Sequence, residues 1–181
     1  MTLGVGMAFA TPGHLDPGFG AAGLFTLRVG NIGAAANAIL QQADGKLVLA
    51  GAGNPDGGFD DNLLLLRLNA DGTRDNTFSG DGLASADFGG SEDIAQAVIQ
   101  QPDGKLVVAG SGRPGGAQGS NFALARFNVN GTLDATFGNG GVVHLDLGGS
   151  DEQAMGLVRQ SSGQLVIAGW GNAGGLYRTY F

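Results

Sequence analysis

Short apolar runs recur along this chain, separated by clusters of turn residues. In its middle third they occupy 83–88, 94–101, 105–110 and 122–128. Each is too short for an ordinary helix, and no longer stretch repeats its apolar positions at helical spacing. The pattern predicts an all-β protein. Leu63, Leu64, Leu65 and Leu66, and likewise Leu106, Val107, Val108 and Ala109, are apolar at successive positions. Strands of that kind bury both faces instead of alternating between core and water. Asp103-Gly104 separates the second run from the third, and Asp44-Gly45 stands in the same setting upstream. Asp-Gly between apolar runs predicts a tight hairpin, here a type I′ turn with positive φ at both central residues. Ser162-Gly163 is a weaker form of the same signal.

The runs belong to a repeat. QADGKLVLAG at 42–51 returns as QPDGKLVVAG at 101–110 and as QSSGQLVIAG at 160–169, at the same step both times and without a gap. Asp16, Asp75 and Asp134 keep that step, as do Phe19, Phe78 and Phe137. Self-similarity at a fixed period marks an architecture of stacked units. The sequence therefore reads as a single repeat domain over 1–181, with units at approximately 16–74, 75–133 and 134–181. Each unit is expected to be a four-stranded antiparallel meander. The last is incomplete, because the register places its fourth run from Phe181 onward. Residues 1–15 fall on the fourth-strand register of an earlier unit and are expected to supply a strand and turn that complete one sheet.

Two closed architectures suit three such units. A β-trefoil or β-prism closes with three repeats, whereas a β-propeller takes one four-stranded blade per repeat and closes with ~4–8 blades. Strands apolar on both faces favour the β-propeller-like reading, because each blade is sandwiched between two others. QPDGKLVVAG (101–110), FALARFNVNGTLD (122–134) and TFGNGGVV (136–143) resemble the delta-60 repeats. These are bacterial β-propeller-type repeats of about sixty residues, found in long arrays in large, often exported proteins. The resemblance covers residues 11–181 and implies a propeller fold with no activity attached. Three blades leave open sheet edges, which invite pairing. A two-fold homodimer closing a six-bladed ring is the simplest expectation.

Composition narrows the function classes. The net charge is −7, and 14 of the 16 acids are Asp, the acid that favours turns. Nine scattered Lys and Arg make no basic patch, so nucleic acid is not an expected partner. No apolar run is long enough to span a bilayer as a helix, so membrane insertion is not expected either. The chain has no Cys, which removes disulfides, thiol nucleophiles and thiolate metal sites. Ala8-Phe9-Ala10 has the A-x-A form of a signal cleavage site and leaves export open, but Leu3, Val5, Met7 and Phe9 alternate as a strand would.

Candidate chemistry is sparse. No Gly-x-Ser-x-Gly elbow is present. Ser150, His144 and Asp146 are close enough in sequence to form a nucleophile, base and orienting acid, and 144 and 146 share one face of a strand. Asp56, Asp60 and Asp61 lie in a loop that is not copied in the other units. They are better candidates for binding than Glu92-Asp93 and Asp151-Glu152, whose recurrence points to a structural turn. Asn69, Asp71 and Asp75 around Gly72 resemble part of a calcium loop, though Arg67 stands where a leading acid would be needed. Trp170, the single tryptophan, follows the repeated motif and gathers with Tyr177 and Tyr180 in the last unit. Exposed aromatics of that kind mark contacts with a sugar or protein, or cover an open edge. The sequence reads as a non-catalytic binding or scaffold module with a protein or carbohydrate ligand and no cofactor. An esterase-like hydrolase, and a self-assembling piece of a larger propeller, are the alternatives.

Overall fold

The computed structural model describes residues 3–7, 9–11, 13–30, 33–58, 60–90, 92–114, 119–173 and 176–180. Its strands are all antiparallel to their partners. β1 (Leu3–Met7) pairs with β4 (Leu24–Leu27), and β2 (Phe9–Thr11) with β3 (His14–Leu15). A first four-stranded sheet holds β5 (Ala34–Gln41), β6 (Leu47–Gly53), β7 (Asn62–Leu68) and β8 (Leu83–Ala86). A second holds β9 (Ile94–Gln100), β10 (Leu106–Gly112), β11 (Asn121–Phe127) and β12 (Val142–Leu145). The third has β13 (Gly149–Arg159), β14 (Leu165–Ala173) and β15 (Leu176–Tyr180).

The sheets are out of phase with the sequence units. The repeat unit predicts that the run at 83–88 opens a meander with the run at 94–101. It instead closes the preceding sheet, Leu66 pairing with Leu83 and Leu63 with Ala86. β12 does the same for the second sheet, Ala125 pairing with Val142. The chain then leaves each sheet through a turn in which Asp87 Oδ1 accepts from Gly89 N–H and Asp146 Oδ1 from Gly148 N–H. An aspartate followed by a glycine reads equally well as a link within a sheet or between sheets. In the last unit β15 pairs with β14, ahead of Phe181, where the register places the final run.

The Asp-Gly hairpins form, but not as type I′ turns. Gly104 N–H bonds Gln101 C=O, and Gln101 N–H bonds Lys105 C=O. Only the glycine has a positive φ, of 84°, whereas a type I′ turn needs two such residues. The loop is the three-residue kind, with a left-handed glycine after the turn. Asp103 Oδ1 fixes it by accepting from Lys105 N–H.

Packing runs from sheet to sheet. Val48, Ala50, Leu63 and Leu65 of the first sheet share a core with Leu106, Val108, Ala123 and Ala125 of the second. The other face of the second sheet, with Val107, Ala109, Phe122 and Leu124, packs against Ala154 and Leu157 of the third. The central strands of the two four-stranded sheets are thus buried on both sides, as their unbroken apolar runs require. The Ala-Gly ending of the repeated motif has its own cause. At Gly110 the ladder bulges, and a Cβ there would run into the carbonyl oxygen of Ile94.

Candidate functional site

The densest polar constellation lies where each third strand turns toward its outer strand, and it occurs twice. Arg67 on β7 and Asp75 in the following link are both buried, with Arg67 Nε 2.7 Å from Asp75 Oδ2. Lys46 Nζ, from the hairpin loop, reaches the same oxygen at 3.2 Å. Thr77 donates to Asp75 Oδ1 from its amide at 3.0 Å and its hydroxyl at 2.6 Å. Arg67 also donates to the Val129 carbonyl at 2.9 Å and lies 4.5 Å over the Phe78 ring. One repeat on, Arg126 and Lys105 each stand 2.7 Å from Asp134 Oδ2, Thr136 bonds Oδ1, and Arg126 covers Phe137.

These contacts set the protonation of the acids. Burial pushes the Asp75 carboxyl up. The Thr77 donors, the Lys46 ammonium and the Arg67 charge outweigh it and hold the group well below the usual carboxylate range. At Asp134 the Lys105 ammonium leads, joined by Thr136 and Arg126, to the same result. Both aspartates stay ionised, each held by two cations, and the clusters tie sheet to link. From the sequence, Asp75 is a candidate only as a calcium ligand, with Arg67 standing against it. The clusters' signal was available, since Lys46, Arg67 and Asp75 recur one repeat later as Lys105, Arg126 and Asp134.

The calcium candidates face inward to the turn. Asn69 Nδ2 donates to Thr73 Oγ1 and to the Arg74 carbonyl, and Asp71 Oδ1 accepts from the amide and hydroxyl of Thr73. With Asp75 bound to two cations, the three side chains do not converge on a shared centre. Among the described residues no three His, Asp or Glu stand close enough to hold a metal ion.

The acidic loop is folded around Asn54. Its Oδ1 accepts from the amides of Asp56 and Gly58, and its Nδ2 donates to the Asp60 carbonyl. Asp61 pairs through its backbone with the strand entry at Glu92 and Asp93, and burial followed by the Glu92 charge raises its carboxyl. Asp93 is fully buried, as is its counterpart Glu152. Asp93 Oδ2 accepts from Phe88 N–H at 2.6 Å, and Glu152 takes Leu147 N–H at 2.8 and 3.0 Å. Each acid ties down the link by which the chain enters its sheet. Burial pushes the Asp93 carboxyl up to about 6.

The hydrolase candidates do not assemble through their acid. His144 sits on β12, its ring edge-on to Phe88 at 5.2 Å, with Nδ1 buried and without a hydrogen-bond partner. Burial lowers its pKa. Asp146 directs Oδ1 to Gly148 N–H at 2.7 Å, and the side chain of Ser150 lies outside the described residues. An open cleft of about 490 Å³ runs past His144, Phe88 and Asp87. Trp170 lies on β14 with its backbone opposite Thr179, and Tyr177 is opposite Asn172; the side chains of Tyr177 and Tyr180 are not among those described.

Residues 42–78 and 101–137 match one family, described as a domain of unknown function (DUF5122) beta-propeller. The two matches begin at the same place in successive repeats, Gln42 and Gln101, and each ends on the phenylalanine beneath the guanidinium. The fold is a β-propeller of repeated blades. No curated protein matches the chain. In propeller terms, the Arg–Asp–Lys clusters lock the two matched blades, and β8 and β12 are the outer strands that each blade takes from the next repeat.

Proposed function

We propose that this chain is a non-catalytic propeller module of the delta-60 kind, serving to bind or scaffold a protein or carbohydrate partner. The observation that carries this reading is the state of the His144–Asp146 pair. Asp146 holds the Gly148 amide while His144 Nδ1 is buried without a partner, so a general base lacks the acid that would orient it. The recurrent charges support the same reading, since Asp75 and Asp134 are engaged by cations within the fold.

The test is hydrolysis of p-nitrophenyl acetate by the whole chain and by His144→Ala. Both should release p-nitrophenol at the buffer rate. Release above buffer that disappears with His144 would establish the esterase alternative. The remaining alternative, a self-assembling piece of a larger propeller, turns on the ends of the blade stack.

A further inference from the structure

Among the described residues, two part-blades flank the two complete ones and carry the repeat's own register. At one end, Met7 pairs with Leu24 just as Leu66 pairs with Leu83 and Ala125 with Val142, each pair one repeat after the last. β1 and β4 are therefore the third and fourth strands of a blade. β1 also lies against β5 as β7 lies against β9 and β11 against β13. In the two complete blades two further strands lie inside that position. Among the described residues, β1 has β4 as its one sheet partner.

At the other end stand a first and second strand. β13 and β14 pair Gly156 with Ala168, matching Ala38 with Ala50 and Ala97 with Ala109, and the bulge falls at the same place. β15 follows them out of register. The repeat pairs Gly51 with Leu64 and Gly110 with Ala123, each 13 positions on, whereas Gly169 pairs with Tyr180, 11 positions on.

The exposed faces fit this description. Val158 is 59% and Val166 37% exposed, although their counterparts one repeat earlier, Ile99 and Val107, pack into the core between the second and third blades. Ile39, on the far side of the stack, is 62% exposed, whereas its counterpart two repeats on, Leu157, is buried. A blade with inner strands is what Ile39 lacks, and a following blade is what Val158 and Val166 lack.

We infer that two copies of this chain complete each other, β13 and β14 of one forming a composite blade with β1 and β4 of the other. β1 of the second copy takes the edge of β14 that β15 holds in the single chain. Two-fold symmetry makes the exchange mutual, and two complete blades per copy with two composites give a closed ring of six. The repeat register then sets Trp170 opposite Gly4 of the second copy. In the complete blades the same position pairs Ala52 with Leu63 and Ser111 with Phe122, small against large. The composite keeps that size match with the order reversed, the indole standing opposite a glycine. This reading names a second copy as a partner, resting on the module reading only for the ring's purpose. A monomer would overturn it and leave the ester assay untouched.

The experiment measures the mass of the whole chain by light scattering at micromolar concentration, beside three variants. The chain should run at twice 18.1 kDa. Val158→Asp with Val166→Asp places carboxylates on a face exposed in the single chain, so folding is retained and the dimer dissociation constant should rise at least about a hundredfold. Removal of 174–181 should leave the dimer intact. Gly4→Cys with Trp170→Cys, in a chain without cysteine, should oxidise to an interchain disulfide. A monomeric chain, an intrachain disulfide, or a dimer indifferent to the two aspartates would each overturn the composite blade.

Discussion

Arg67 Nε meets Asp75 Oδ2 at 2.7 Å with both side chains almost wholly out of water, and Arg126 repeats the distance on Asp134. The two contacts differ in exposure, Arg126 retaining 20% of its side-chain surface against 6% for Arg67. Removing one partner of a buried pair leaves the other charge uncompensated, at about 3–5 kcal/mol. Asp75→Ala should lower stability by about that much in urea unfolding. Arg126→Ala should cost less, because water can reach the cluster it leaves. An Asp75→Ala chain within about 1 kcal/mol of the parent would show that the cluster is not stabilising.

The acids should pull the pH profile in opposite directions. Asp75 and Asp134 have depressed pKa values in the fold, so their contribution is present above about pH 4 and is lost as pH falls below it. Asp93 runs the other way. With its folded carboxyl pushed up to about 6, the native chain holds a proton between about pH 4 and 6 that the unfolded chain has released. Stability should therefore fall as pH rises through that window, by up to about 3 kcal/mol. Asp93→Asn keeps an oxygen for Phe88 N–H and should flatten this slope when urea midpoints are compared across it. An unchanged slope would assign it to other groups.

Glycines with different reasons for being glycine should respond differently. A methyl at Gly110 meets the Ile94 carbonyl between two ladders, so Gly110→Ala should cost at least about 2 kcal/mol. Gly140 has a φ of 65° and open space around it. Gly140→Ala should cost only the left-handed conformation, about 1–2 kcal/mol. Thermal unfolding of the two variants separates the cases, and equal losses would refute the steric account of the motif.

Much of this fold is legible in the chain because local and global demands agree. The unbroken Leu63–Leu66 and Leu106–Ala109 runs are buried on both faces. The Asp-Gly hairpins stand where expected, although one left-handed residue suffices because Asp103 takes the amide of Lys105. The phase of the repeat was not legible. A periodic sequence has no privileged starting point, and only the pairing of Leu66 with Leu83 shows where a blade is cut. The candidate site was less readable still. Arg126 and Asp134 are separated in the chain, and what brings them together is the link closed by Asn128 N–H on the Thr132 carbonyl. Asp93 looks like any turn acid until neighbouring strands remove it from water.

The borrowed outer strand bears on how such a repeat can be transplanted. A gene cut at Asp75 and Asp134, the boundary that alignment offers, would yield a piece whose β9–β11 sheet lacks β12 and which carries β8 with nothing to cover. A cut at Gly89 and Gly148 instead releases all four strands of one blade together with their ionic lock. The portable unit of this protein is therefore a circular permutation of the unit that its sequence displays.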